Sequence, residues 1–180
     1  MTIDNPPRLE TRIGALPGEA SALVQALLAD FAREIAEAGG RVAGVTQARA
    51  LDEATGRSRI VLRDVTDGTL YSISQDLGPG SVACNLDTSE LAQACASIER
   101  AVSAGADLVV ISKFSKQEAA RGGLADAFRA AMAAKVPVVT AVSPHYLAEW
   151  RSFAGPLAEF LEPTPEALAT WWRGLPTNAA

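Results

Sequence analysis

The sequence predicts an α/β fold with three layers: a mostly parallel sheet, helical crossovers and an added antiparallel hairpin. Short apolar runs such as residues 108–111 alternate with longer segments of helical periodicity, which is typical of parallel strands joined by helices. Asp67-Gly68 separates two strand-like segments, and Asp-Gly favours tight hairpin turns. The chain is 48% hydrophobic and 21% charged, as folded domains are.

The elements follow in order along the chain. The first strand is predicted at residues 12–16 and the first helix at 21–38, where Leu23, Leu27 and Phe31 repeat every four residues. Further strands are predicted at 41–47, 58–64, 69–74, 107–112 and 136–142. Loops are predicted at 48–57, 75–81 and 113–123. Further helices are predicted from Asp87 to Gly105, at 124–134, from Ser143-Pro144 and from Thr164-Pro165, because Asp, Ser and Thr cap helices and proline suits their first turn.

Composition and charge exclude several classes of protein. The net charge is −5 with no run of Lys or Arg, whereas nucleic-acid binding needs a dense basic patch. No apolar run approaches the roughly 20 residues that span a membrane, and the start of the chain has no secretory signal. Two cysteines and one histidine are too few for a disulfide framework or a multi-histidine metal site. We expect a cytoplasmic protein with one domain over residues 11–175 and flexible segments at 1–10 and 176–180.

Three loops are expected at the carboxyl edge of the parallel strands, where ligands usually bind in such folds. They are residues 17–21, 113–118 and 143–146. The loop at 75–81 follows the hairpin, so its position relative to this edge is left open.

The first candidate is the turn that contains Gly18 and Ser21. Aligned on a phosphate-binding P-loop, residues 14–21 keep the first glycine, as Gly14, and the final hydroxyl, as Ser21. Glu19 stands in place of the second glycine and Ala20 in place of the lysine that balances phosphate charge. The alternatives are a degenerate anion site, using backbone amides at the helix start, and an ordinary strand–helix turn.

The second candidate is the glycine-rich loop at residues 75–81. Its ligand-binding residues are predicted to be Gln75, Asp76, Gly78, Gly80 and Ser81. Such a loop can present amides to an anion or a carboxylate to a cation. The alternative is a structural turn, and Cys84 nearby is more typical of a small buried side chain than of a reactive thiol.

The third candidate directly follows the buried strand at residues 108–111. Lys113 and Lys116 suit an anion pocket, with Glu118 orienting Lys116 or a water molecule. The alternative is solvated surface charge.

The aromatic residues and the single histidine are weaker candidates. Trp150, Phe153, Trp171 and Trp172 are expected in the core or at helix contacts, and any exposed remainder could form a homodimer patch. His145 is expected to cap a helix or lie on the surface, because no nucleophile is placed beside it by a motif.

Several of these motifs resemble a bacterial family known as domain of unknown function 2478. They are residues 75–81 with Cys84 and 86–87, residues 105–110, residues 113–118, residues 137–138, residues 141–142 and residues 146–150. The resemblance covers about residues 12–160 and departs at Ser115, where the family pattern has glycine.

The resemblance implies a degenerate form of the P-loop nucleoside-triphosphatase fold and a link to molybdate-transport genes. The leading hypothesis is a protein that binds a nucleotide or an oxyanion, phosphate or molybdate, in molybdenum metabolism. One alternative is an atypical Mg-dependent nucleoside-triphosphatase in which Asp107 or Glu118 holds metal or water. The other is a regulatory or assembly partner that binds no ligand.

Overall fold

The computed structural model describes residues 12–18, 21–75 and 85–176. The strands are β1 (Ile13–Pro17), β2 (Val42–Leu51), β3 (Ser58–Asp64), β4 (Leu70–Ser72), β5 (Ser74–Gln75), β6 (Asn85–Leu86), β7 (Leu108–Phe114), β8 (Val138–Val142) and β9 (Ala158–Phe160). The helices are α1 (Ala22–Glu37), α2 (Thr88–Ser103), α3 (Lys116–Ala119), α4 (Ala125–Ala133), α5 (Leu147–Ala154) and α6 (Pro165–Gly174), with 3-10 turns at Pro144–Tyr146 and Gly155–Leu157.

Seven of these strands form one sheet in the order β4-β3-β2-β7-β8-β1-β9. In this order, β2, β7, β8, β1 and β9 are each parallel to their neighbours within this group. β3 and β4 extend the sheet beyond β2 as antiparallel strands. The short strands β5 and β6 pair separately. The predicted fold class, a mostly parallel α/β sheet with an antiparallel addition, is confirmed.

Helices cover both faces of the sheet, which makes the three layers. Alternate residues of β7 enter two different clusters: Val109 and Ile111 join one, while Leu108 and Val110 join the other. Because successive side chains of a strand point to opposite faces, the clusters lie on opposite sides of the sheet. One cluster includes residues of α1 and α6, and the other includes residues of α2, α4 and α5.

Of the predicted capping residues, Asp87 and Thr164 cap their helices, whereas the side chain of Ser143 makes no cap hydrogen bond and a 3-10 turn at Pro144–Tyr146 precedes α5. Ser21 caps α1, Asp87 caps α2 through the amides of Ser89 and Glu90, and Thr164 caps α6. The predicted hairpin around Asp67-Gly68 joins β3 and β4, and Gly68 has a φ of +77°.

Several elements differ from the predictions, among them the strand predicted at 69–74, which is divided into β4 and β5. The loop predicted at 48–57 is wrong in its first part, because β2 continues to Leu51 and pairs with β3. The polar side chains of this segment suggested a loop, but its backbone groups form hydrogen bonds with β3. The loop predicted at 113–123 contains α3, and the strand β9 was not predicted, since a three-residue strand carries little signal of its own.

Of the predicted flexible segments at 1–10 and 176–180, all residues except Pro176 lie outside the described residues. No helix within the described ranges is long and apolar enough to cross a lipid bilayer.

Candidate functional site

The parallel sheet opens between β2 and β7. The two strands pair only over residues 42–44 and 108–110, and β2 then continues with β3 as its partner. Gly44 lies at the point of divergence with a φ of +128°, and a Cβ there would collide with the carbonyl oxygen of Val110. Glycine therefore allows β2 to cross β7 closely before it turns away.

The side chain of Gln25 bridges this opening. It is 4% exposed on α1, and its Nε2 donates to the carbonyl oxygen of Ser112 at 2.8 Å. The backbone amide of Gln47 on β2 donates to its Oε1 at 2.6 Å. One carboxamide thus replaces ladder hydrogen bonds that the two strands no longer exchange.

A β-bulge lies in β7 at the same opening. Ile111 pairs with Thr140 and Phe114 pairs with Val142, so β7 holds one extra residue between these pairs. Phe114 is fully buried, with ring centroids 5.0 Å from Trp150 and 6.0 Å from Phe128. The bulge and this aromatic anchor fix the segment that carries Lys113, and bulges often lie beside functional sites.

A cleft of about 410 Å³ lies between the opened strands and α3. It faces the α2 and α4 side of the sheet, because its apolar residues belong to that core cluster or pack against it. The polar lining residues are Gln47, Ser74, Ser112, Lys113, Ser115, Lys116, Gln117 and Glu118, and the apolar ones are Ile60, Leu62, Ile73, Leu91 and Leu124. The cleft therefore has a cationic wall from β7 and α3 and an aliphatic wall from the hairpin and α2.

The two lysines of the cleft have no carboxylate partner among the described residues, as no ion pair there involves Lys113 or Lys116. The carboxylate in the cleft lining belongs to Glu118, and its oxygens are held by backbone amides. Ser115 donates to Oε2 at 3.1 Å, and Leu124 donates to Oε1 at 3.1 Å. Glu118 thus ties the start of α3 to the start of α4, a structural role that the sequence did not reveal, and its predicted contact with a ligand stays a prediction.

The pKa of Glu118 is raised above its ordinary value. Burial is the largest cause, because it disfavours the charged carboxylate. Hydrogen bonds from the amides of Leu124 and Ser115 and the charge of Lys113 oppose this effect. A raised pKa reduces the negative charge beside the lysines at mildly acidic pH.

Ser115, where the resemblance implies a glycine in the family pattern, has an extended backbone. Its φ and ψ are −149° and −152°, an extended conformation in a region open to residues with a Cβ. Its hydroxyl and amide both lie within hydrogen-bond distance of Glu118. The serine therefore adds a polar contact to the turn, and glycine is not required there.

The turn after β1 differs from a P-loop. Gly14, aligned above as the first loop glycine, lies within β1 and pairs with Val139, so that alignment is wrong. A Cβ at Gly14 would meet Leu161 at 2.7 Å, which explains glycine by packing. The turn itself contains only Gly18, two residues outside the described ranges, and Ser21, whose hydroxyl accepts from the amide of Val24 at 3.3 Å.

Gly18 and Ser21 lie at the carboxyl edge of the sheet, as predicted, but they do not line the cleft. β1 and β7 are separated by β8, which places the two turns about 10 Å apart at ordinary strand spacing. The turn after β1 also leads to α1, on the sheet face opposite the cleft. The two turns therefore share the edge that was predicted for them, but they do not line this cleft together.

The glycine-rich loop falls largely outside the described residues. Asp76, Gly78, Gly80, Ser81 and Cys84 are among those not described, and the backbone of Gln75 belongs to β5. Ser74, directly before this loop, lines the cleft. The predicted ligand contacts of the loop stay predictions.

Asp107 is far from the cleft along the strand direction. It precedes β7, at the amino edge of the sheet, where it pairs with Arg41 at 3.1 Å. Hydrogen bonding from Arg41 is the largest cause of the lowered pKa of Asp107. This position argues against the hypothesis that Asp107 holds metal or water for phosphate chemistry, since ligands of such sheets bind at the carboxyl edge.

Gln25 and Gln47, which shape the opening together with Ser112, were not predicted from the sequence. Each is visible in the sequence as a polar residue at a core-facing position of a helix or at the end of an apolar strand. The expected core aromatics Trp150 and Trp171 are buried, and His145 is exposed in the 3-10 turn after β8.

Fold and cleft together define a three-layer α/β protein with a cationic cleft at the carboxyl edge of a mostly parallel sheet. The chain belongs to the DUF2478 family, described as proteins of unknown function, whose pattern matches residues 13–171. The predicted family is confirmed.

The chain is also similar to a protein named molybdenum import ATP-binding protein ModC 2, from Bradyrhizobium diazoefficiens. The two are 40% identical over 147 residues, which is 82% of this chain and 16% of that protein. The chain therefore spans a small part of that relative's length. No solved structure matches the chain.

Proposed function

We propose that this chain binds a small anionic ligand, a nucleotide or an oxyanion such as phosphate or molybdate, in the cleft between β2, β7 and α3. The placement of Lys113 and Lys116 on one wall of the cleft carries this proposal. The neighbouring carboxylate of Glu118 accepts hydrogen bonds from backbone amides. An anion can therefore recruit both lysines without displacing an existing ion pair within the described residues.

A role in molybdenum metabolism is supported by the name of the relative from Bradyrhizobium diazoefficiens. ATP binding by the whole relative does not transfer directly, because this chain matches 16% of its length. We propose a cytoplasmic location on the grounds of composition and the low cysteine count.

The nucleoside-triphosphatase alternative has less support. A P-loop surrounds phosphates with a long glycine-rich turn and a lysine, whereas here Gly14 lies in β1 and Ala20 replaces the lysine. Glu118 and Asp107 lie near opposite edges of the sheet, so they do not form one metal site. Hydrolysis with Mg²⁺ and a homodimer without ligand remain separate hypotheses, to be tested by phosphate release and light scattering.

Isothermal titration of the full chain with ATP, GTP, phosphate and molybdate tests the proposal. We expect binding by at least one of them, and a loss of about 100-fold or more in the double variant Lys113→Ala/Lys116→Ala, since each hydrogen bond to a charged group contributes about 1.5–3 kcal/mol. The matched control is Lys135→Asn, which removes a lysine near the amino edge of the sheet; φ there is 57°, a conformation that Asn tolerates. Absence of binding, or equal affinity of the double variant and the control, would contradict the proposal.

A second anion-binding element at Gly18 and Ser21 stays a weaker proposal. It is supported by the position of this turn at the start of α1 and at the carboxyl edge of β1.

A further inference from the structure

The cleft is too large and too apolar for a bare oxyanion to fill. Its volume of about 410 Å³ lies in the range of pockets for organic small molecules. Ile60, Leu62 and Leu91 form a wall away from the lysines. Leu62 and Leu91 are already 2% and 8% exposed, while Ile60 is partly exposed, and a tetrahedral anion at Lys113 and Lys116 would gain nothing from covering the apolar lining that remains exposed.

Gln47 places an unused hydrogen-bond acceptor beside the aliphatic wall. It pairs across the strands with Leu62 and lines the cleft. Its Oε1 is buried and has no hydrogen-bond partner. A buried acceptor without a donor is unfavourable, so a ligand that supplies an N–H gains the bond that the free protein lacks.

The backbone amide of Gln47 forms a hydrogen bond, whereas its side-chain Oε1 forms none. Its amide donates to the buried Oε1 of Gln25, which fixes the strand position. Because Oε1 is buried in the free protein, the Gln47 side chain must turn toward the cleft for a ligand to reach this acceptor. The acceptor lies on the hairpin wall, and the cations lie on the wall made by β7 and α3.

We infer that the cleft selects a nucleotide over a bare oxyanion: the base packs on Ile60, Leu62 and Leu91, an N–H of the base donates to Gln47, and the phosphate meets Lys113 and Lys116. This inference rests on the proposed function and narrows it to one class of ligand. Base and phosphate are recognised by different walls, so their contributions are separable by substitution. A bare oxyanion engages only the lysine wall.

Titration of the full chain with AMP, GMP, CMP, UMP, ribose 5-phosphate, inorganic phosphate and molybdate tests the inference. We expect at least one nucleotide to bind about tenfold or more tightly than ribose 5-phosphate. We expect Gln47→Leu to weaken that nucleotide about tenfold, because a hydrogen bond is lost, and to leave ribose 5-phosphate unchanged. Gln93→Leu, the same change at an exposed position of α2, serves as the control and leaves every affinity unchanged.

The outcomes separate this inference from the proposed function. Equal affinity for ribose 5-phosphate or phosphate and for all nucleotides overturns the inference and leaves anion binding intact. Binding by none of the probes removes both. An equal loss for nucleotide and ribose 5-phosphate in Gln47→Leu, when Gln47→Met shows the same loss and an unchanged melting temperature, also overturns the assignment of the base to Gln47.

Discussion

The pairing of backbone hydrogen bonds differs between the two halves of the parallel sheet. Between β7, β8 and β1 the strands stay paired to their carboxyl ends, with Pro17 opposite Val142 and Val142 opposite Phe114. Between β2 and β7 the pairing stops at Gly44, and the strands separate. The paired half is filled mainly by apolar side chains, with Thr140 buried on β8, whereas the open half contains Gln25, Gln47 and Ser112 and borders the cleft.

The contrast shows where a sheet of this kind can hold a ligand. Separated strands leave backbone groups that need polar partners, and those partners bring polar side chains into an otherwise apolar layer. The paired half has no such need, and its turn at Gly18–Ser21 is short, with Gly18 bonded to Val142. Four substitutions test this difference, from the largest expected effect to the smallest.

Gly44→Ala should destabilise the protein by about 3–5 kcal/mol, since backbone strain and overpacking against Val110 add together. Urea unfolding measures the loss. Gly56→Ala is the matched control: its φ is also positive, at +66°, but no atom lies within 4 Å of the added Cβ. It should cost about 1–2 kcal/mol. Equal losses at the two positions would show that the close crossing of β2 and β7 does not govern the opening.

Gln25→Leu should cost about 2–4 kcal/mol, because it leaves the carbonyl of Ser112 and the amide of Gln47 without partners at similar side-chain volume. The affinity for a ligand in the cleft should fall together with the stability, because Ser112 and Gln47 line the cleft. Gln93→Leu should change the free energy of unfolding by less than about 0.5 kcal/mol. A stable Gln25→Leu protein would mean that other groups can satisfy the opened strands.

Glu118→Gln should lower the free energy of unfolding by about 1–3 kcal/mol, because a carboxamide accepts from only one of the amides of Ser115 and Leu124, and it should also remove a pH dependence of stability. Because burial raises the folded pKa of Glu118, the folded state binds more protons than the unfolded state between the two pKa values. The free energy of unfolding of the wild type should therefore fall, relative to Glu118→Gln, as pH rises from about 4, near the unfolded pKa of Glu. Urea unfolding from pH 4 to pH 7 measures this slope.

The slope difference should level off once the pH exceeds the folded pKa of Glu118. A wild type that gains stability over Glu118→Gln with rising pH would mean that the amides of Ser115 and Leu124 outweigh the burial of the carboxylate. The Asp107–Arg41 pair is present in both proteins. The lowered pKa of Asp107 makes stability rise with pH, and this contribution cancels when the two proteins are compared.

Ser21→Ala should cost about 1 kcal/mol through loss of the α1 cap. Thr164→Ala removes an equivalent cap from α6, where the hydroxyl accepts from Ala167 at 3.2 Å, and should cost a similar amount. Titration of both variants with the nucleotide or oxyanion that binds best separates the roles. A loss of affinity confined to Ser21→Ala would assign an anion contact to the paired half as well.

Local signals predicted the elements and the edge of the sheet but not the opening. Ser21, Asp87 and Thr164 marked helix starts because a cap acts within three residues of its own position. Lys113 and Lys116 indicated a cationic turn because they closely follow an apolar run, which is also a local pattern in the sequence. The alignment of Gly14 on a P-loop was wrong because the same glycine also fits a strand crowded by Leu161 and Trp171.

The amino-acid sequence by itself determined the α/β class, the helix starts, the hairpin at Asp67-Gly68 and the two-lysine turn, since each depends on neighbours in the chain. Only the tertiary structure decided that β2 leaves β7 at Gly44, that Gln25 bridges them, and that Glu118 binds amides rather than a lysine. Those outcomes depend on contacts between residues up to 87 positions apart, such as Gln25 and Ser112. No local pattern encodes which distant backbone group a buried polar side chain will meet.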